Sequence, residues 1–229
     1  MEISPFYDKK VTCINCKKHF TTIRIRSRFV RVASHESDFK PVYSDPEVNP
    51  ILYNVAVCPH CGFSFTDDFS PYFAPGTEED IAERITSQWN GRSFSAERDT
   101  DEAIETYKLA YLSAMFKKEK VLTLAGLTLR IAWLYRQKGA KEEEKRFLLI
   151  ARNFYNASYS EGDFKGTQMS ETKVLYLIAE LSWKIGDENE AVKSFSRILE
   201  SQRTSTEPKI IEMAKERWQD IKEWRKVSE

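Results

Sequence analysis

Two periodicities divide the chain. Up to about residue 75, apolar positions come in short alternating runs; from Glu78 onward they recur at helical spacing almost to the end. In the first part, Phe20-Thr21-Thr22-Ile23-Arg24-Ile25-Arg26 alternates as a half-buried strand does. The alternation then slips. Ile23 and Ile25 hold odd positions, Val30 and Val32 even ones, so a hairpin turn or bulge is predicted near Ser27-Arg28. Residues 34–50 read as loop, punctuated by Asp38, Pro41, Asp45-Pro46 and Asn49-Pro50, and residues 51–57 read as a further strand. Residues 67–77 form a hinge whose rings, Phe69, Tyr72 and Phe73, are expected to pack between the two parts.

The second part predicts seven helices. The first covers 78–89 and stops near Asn90-Gly91. Asp99-Thr100-Asp101-Glu102 offers a capping box for the second, which carries Ile104, Tyr107, Ala110 and Tyr111 at helical spacing. The third, 119–138, is apolar around most of its girth, as an inner helix of a stack is. A fourth spans 141–158. Ser170 caps a fifth that ends at Gly186, a sixth spans 188–202, and Thr206-Glu207-Pro208 starts a seventh that reaches the C-terminus.

The glycine turns bring out a repeat. Leu175-x-x-Ile178-Ala179, Gly186-Asp187 and Ala191-x-x-x-Phe195-x-x-Ile198-Leu199 are similar to a tetratricopeptide repeat at its hallmark spacings. The segments around Ile131–Ala151 and Ala103–Ala110 follow the pattern less well, since Glu144 falls where a small residue is expected and the steps exceed 34 residues. Stacked helical hairpins leave a concave face that commonly holds a peptide or protein segment; a compact bundle that merely fixes the first part in place is the plainer alternative.

Composition changes the picture at one point. The only cysteines are Cys13, Cys16, Cys58 and Cys61, two Cys-x-x-Cys pairs. A two-residue spacer lets both thiolates of one turn reach a common point, and two such turns supply the tetrahedral sulfurs that a closed structural Zn²⁺ site takes. Pro59 fixes φ on the way into the second turn, and Gly62 can take positive φ after it. His19 and His60 lie close by but are not needed as ligands. Strand, knuckle, strands, knuckle is a zinc-ribbon layout with a long excursion between its halves. The expected fold class is therefore α+β, with a zinc-ribbon-like head over 1–75 and a tetratricopeptide-like helical array over 76–229.

Charge is balanced overall, with 35 basic and 35 acidic residues. It is uneven within the head: residues 9–31 hold eight basic residues and no acidic one, whereas residues 36–68 hold six acidic residues and one basic. Arg24, Arg26, Arg28 and Arg31 are candidate phosphate contacts on a nucleic-acid-binding ribbon. The alternative, pairing with the acidic half of the same head, is favoured because no aromatic–basic interleaving suggests base stacking. The first ten residues are polar and charged, and no run is long and apolar enough for a membrane span, so a cytoplasmic protein is expected.

The chain resembles a family of uncharacterised bacterial proteins known as a domain of unknown function. The resemblance rests on Tyr7-Asp8-Lys9-Lys10-Val11-Thr12-Cys13, Ser37-Asp38-Phe39, Asn49-Pro50 with Tyr53, Val55 and Val57-Cys58-Pro59-His60-Cys61-Gly62, Thr106-Tyr107-Lys108-Leu109-Ala110, and the segment from Leu124 to Arg136. It departs from the pattern at Ile14-Asn15, where proline is usual. What the resemblance implies is a cytoplasmic bacterial protein with a zinc-ribbon-like head and a helical-repeat body, without an activity attached.

Three functions follow for testing. The first is a non-enzymatic interaction module whose helical face docks a protein or peptide segment. The second is nucleic-acid binding through residues 9–31. The third, an enzyme, finds no phosphate-cradling glycine motif, no nucleophile elbow and no spare His/Asp/Glu metal cluster; all three histidines lie in the head, and Asp67-Asp68 read as solvated loop acids.

Overall fold

The structure is a computed structural model that describes residues 3–203 and 206–228. Met1 and Glu2, where the reading of a polar N-terminus begins, and Glu229, the end of the seventh expected helix, lie outside these residues.

The head is built from three antiparallel pairs of strands. β1 (Phe6–Thr12) pairs with β2 (His19–Ile25), β3 (Val32–His35) with β4 (Pro41–Tyr43), and β5 (Ala56–Val57) with β6 (Ser64–Phe65). The first and third hairpins turn through the cysteine knuckles. Thr12 pairs with His19 across residues 13–18, and Val57 pairs with Ser64 across residues 58–63.

Two sequence expectations are corrected here. No hairpin turns at Ser27-Arg28. β2 is already paired to β1 through the knuckle, and Ser27–Phe29 form a 3-10 turn that redirects the chain into β3, away from β2. Residues 51–57 are also not one strand. Pro50–Tyr53 wind into a 3-10 turn, because Pro50 fixes φ at its first position and the Asn49 side chain accepts a hydrogen bond from the Ile51 N–H at 3.0 Å. The turn drives Ile51 and Tyr53 into the core, leaving only Ala56 and Val57 as strand.

Seven helices follow: α1 (Thr77–Arg84), α2 (Thr100–Lys117), α3 (Val121–Gln137), α4 (Lys141–Glu161), α5 (Glu171–Ile185), α6 (Glu188–Glu200) and α7 (Pro208–Ser228). Asp99 Oδ1 accepts from the Glu102 N–H at 2.8 Å, and Ser170 Oγ from the Lys173 N–H at 3.1 Å, so both predicted N-caps form. Each helix packs on its neighbours in sequence, and α7 also touches α5. The inner helices α3 and α5 are buried on most sides. Ala179, Ala191 and Phe195 are fully enclosed between α5 and α6, where the Phe195 ring meets Tyr176 edge-on at 5.8 Å.

Head and helices share one continuous hydrophobic core, with α2 as the seam. Tyr107 donates its hydroxyl to the Ile51 carbonyl at 3.1 Å, and the Ser64 N–H donates to Ser113 Oγ at 3.0 Å. Residues 67–77 are pinned. Lys117 Nζ, 1% exposed, donates to the Tyr72 carbonyl at 2.6 Å and pairs with Glu119, which accepts from the Ser70 N–H. Phe69 and Phe73 pack on Phe63 as expected, but Tyr72 stands 69% exposed.

Candidate metal centre

Both knuckles have the same backbone course. The Cys13 N–H donates to the Lys18 carbonyl (2.9 Å) and the Lys17 N–H to the Cys13 carbonyl (3.0 Å); Cys58 N–H to Phe63 (3.1 Å) and Gly62 N–H to Cys58 (2.9 Å) repeat the pattern. Lys17 and Gly62 both take positive φ, 62° and 73°. This tight course folds each Cys-x-x-Cys so that its two sulfurs project to one side.

The two hairpins set these sulfurs against each other. Cys13 Sγ lies 3.7 Å from Cys61 Sγ, Cys16 Sγ lies 3.7 Å from Cys58 Sγ, and all four sulfurs fall within 4.8 Å of one another. A disulfide needs about 2.05 Å, so the cysteines are free thiols. Four thiolates at ~2.3 Å from one tetrahedral ion are about 3.8 Å apart, so the arrangement fits a metal ion without rearrangement. Hydrogen bonds with Cys58 and Cys61, together with burial, push the Cys13 thiol up; the Cys13 and Cys58 thiols in turn pull Cys61 down. A cation held by these sulfurs would displace their protons on binding.

The surroundings hold the site from three directions. Asn15 Nδ2 approaches Cys61 Sγ at 3.7 Å. Thr86 donates to the Cys61 carbonyl at 3.2 Å, and Trp89 donates its indole N–H to the Pro59 carbonyl at 2.9 Å while its ring lies against Gly62. The two histidines sit outside. His19 Nδ1 bonds Thr12 Oγ1, and His60 Nε2 reaches the His19 carbonyl. Sequence reasoning missed Thr86 and Trp89, since a Trp ahead of Asn90-Gly91 carries no signal of a hydrogen-bond partner 30 residues back.

The four arginines do not form one stripe. Arg24 turns inward beside the buried Thr22, 3.8 Å from Asp67, whereas Arg26, Arg28 and Arg31 are exposed beyond the end of β2. Arg26 lies over the Tyr7 ring and Arg28 over the Phe29 ring, at 5.0 and 4.8 Å. The acidic residues of the head divide their pairs: Asp67 pairs with Lys9 and Arg24 and Glu36 with Lys40 within the head, while Glu36 and Asp38 pair with Arg136 and Asp68 with Arg130 on α3.

Arg98 is a further buried cation that no sequence pattern marked. It donates to the carbonyls of Val55 (2.8 Å), Phe94 (2.7 and 3.0 Å) and Leu52 (3.4 Å) and to Thr22 Oγ1, tying β2 and the turn before β5 to the loop before α2. Burial, with Arg24 nearby, lowers its pKa to about 10, so it stays charged at neutral pH.

Among the described residues no helix is long and apolar enough to cross a membrane. Comparison with curated proteins and with solved structures gave no match. One family model, described as an uncharacterized protein conserved in bacteria, matches residues 6–221, which takes in both knuckles and all seven helices up to the last turns of α7. The chain belongs to that bacterial family, DUF2225.

Proposed function

We propose that the four sulfurs hold a structural Zn²⁺ and that the protein is a non-enzymatic cytoplasmic adaptor whose tetratricopeptide-like helical array docks a segment of a protein partner. Zinc is the ion that an all-cysteine tetrahedral set of this size favours, and four protein ligands leave no position for a reactive water. The adaptor reading is carried by one observation: the face formed by α3 and α5 already binds a short turn, the chain's own Ser37-Asp38-Phe39 at the tip of the β3–β4 hairpin. A surface that holds one segment through side chains can hold another. The experiment is a pull-down with tagged protein after nuclease treatment, comparing wild type with Arg136→Ala. A defined partner that wild type retains supports the reading, and its loss in the variant assigns it to this face; no protein partner after nuclease treatment sinks the reading.

A second reading, nucleic-acid binding, is favoured by the exposed arginines that lie on rings, Arg26 on Tyr7 and Arg28 on Phe29, since such pairs can stack bases. It predicts affinity for single-stranded oligonucleotides that falls steeply with salt and is lost when the exposed Arg26, Arg28 and Arg31 become Ser.

A further inference from the structure

The β3–β4 ribbon has no core of its own. All four β3 positions are exposed, Val32 among them, as is Val42 of β4, and the two strands pair only with each other. Tyr43 packs on the core at the ribbon's base, and the polar contacts to the helices come from its tip. Ser37 Oγ donates to Glu180 Oε1 of α5 at 2.5 Å. Asp38, 0% exposed, takes a two-pronged hydrogen bond from Arg136 of α3 at 2.7 and 3.2 Å. The Phe39 ring meets Tyr176 at 5.2 Å, with Lys173 Nζ 5.1 Å from the ring. Phe39 makes these contacts at φ 65°, a left-handed conformation set by the turn that Glu36 and Lys40 close.

The two sides of this contact are not equivalent. Without the tip, Arg136 keeps Glu144 of α4 (2.6 Å), and Glu180 keeps Arg217 of α7 (2.8 and 3.2 Å) and Lys184 (3.6 Å). Arg136 and Glu180 therefore each keep a partner on the helices when the tip is absent. Asp38, by contrast, makes its direct ion pair with Arg136, and Lys184 adds only a more distant attraction. Vacating the tip leaves Arg136, Lys173, Lys184 and Arg217 against Glu144, Glu180 and Asp220, an excess of one positive charge above the Tyr176 ring.

We propose that this groove is the partner site, that it recognises an acidic segment carrying Ser-Asp-aromatic, and that residues 36–40 occupy it in cis until such a segment displaces them. The proposal rests on the adaptor reading for its biological use and on the contacts above for its chemistry. The tethered tip competes at an effective concentration in the millimolar range, so wild type binds a trans ligand more weakly than the bare groove does.

The test uses the full chain and a labelled, head-to-tail cyclised peptide of residues 34–41, with anisotropy as the readout. Asp38→Ala with Phe39→Gly frees the groove. This double variant is expected to bind the peptide on the order of tenfold tighter than wild type. Adding Arg136→Ala removes the binding, as does an Asp-to-Asn change in the peptide. A double variant that melts cooperatively and does not bind the peptide overturns the proposal. Should the double variant fail to fold, wild type decides. Millimolar peptide is expected to speed amide exchange across residues 36–40 by about tenfold, and unchanged exchange overturns the proposal. Peptide binding without a partner in the pull-down leaves the groove assignment standing and removes the adaptor reading; the converse removes the groove assignment alone.

Discussion

Lys17 and Gly62 stand at the same place in the two knuckles, each with positive φ and each donating its N–H to the carbonyl of the first cysteine of its pair. The shared geometry admits a lysine in one and not in the other. A Cβ on Gly62 would come within 2.7 Å of the Trp89 ring. Gly62→Ala is therefore expected to cost about 2–3 kcal/mol through strain and overpacking. Lys17→Gly, which relieves a left-handed lysine, should stabilise by no more than ~1 kcal/mol. Thermal unfolding of the metal-loaded variants checks both. Equal effects at the two positions would show that backbone conformation alone, without Trp89, sets the requirement.

The sulfur geometry predicts one metal ion per chain. Cys58→Ser, or a strong chelator, is expected to remove it, to release protons on rebinding, and to cost at least about 3 kcal/mol because β1–β2 and β5–β6 meet through these sulfurs. For a chain of this size that is roughly 10 °C in melting temperature. Elemental analysis and calorimetry read the two effects. A Cys58→Ser protein with full metal content and an unchanged melting temperature contradicts the site.

What could be read from the sequence was local. The knuckles, the Asp99 and Ser170 caps and the turn at Gly186, which takes φ 90° at the end of α5, all depend on residues a few positions apart. The features that were missed depend on distant partners. Asp38 and Arg136 are 98 residues apart, and Ser37 and Glu180 are 143 apart. Residues 34–50 therefore read as loop, although their tip is what anchors the ribbon to the helices. Both Ser37-Asp38-Phe39 and the segment ending at Arg136 carried the family resemblance, but nothing in one-dimensional spacing says that the two touch. Residues 51–57 failed for another reason. A continuous apolar run fits either a strand or a buried turn, and the Asn49-Pro50 start decided for the turn.

The Asp38–Arg136 pair should make stability acid-sensitive. Burial alone would raise the Asp38 carboxyl; the hydrogen bonds and charge of Arg136 outweigh it and hold the pKa below the ordinary 3.8. Glu36 is likewise opposed by burial but held below 4.5, by Lys40 and Arg136. A depressed carboxylate pKa stabilises the fold above its ordinary value, and the contribution is lost as pH falls through the folded value. Asp38→Asn is thus expected to cost ~2–3 kcal/mol at pH 7, and the gap to wild type should close below about pH 4. Urea titrations at stepped pH measure it. A gap that stays constant on acidification would show that Asp38 acts by shape and not by charge.

Arg98 poses the opposite case, a buried cation satisfied by carbonyls. Its guanidinium reaches Val55, Phe94 and Thr22 at once because five N–H groups are fixed in one plane. Arg98→Met would strip the Val55 carbonyl and leave the Phe94 carbonyl bare inside the head, a loss on the order of 3 kcal/mol. Arg98→Lys keeps the charge but offers one compact ammonium, which cannot span these acceptors, so it should recover less than about half of that loss. Urea midpoints at an unchanged slope give the comparison. If Arg98→Lys matches wild type, charge alone suffices and the planar fork is not what joins β2 to the loop before α2. If both variants lose stability as described, the head keeps its place through this one side chain as well as through the apolar seam on α2.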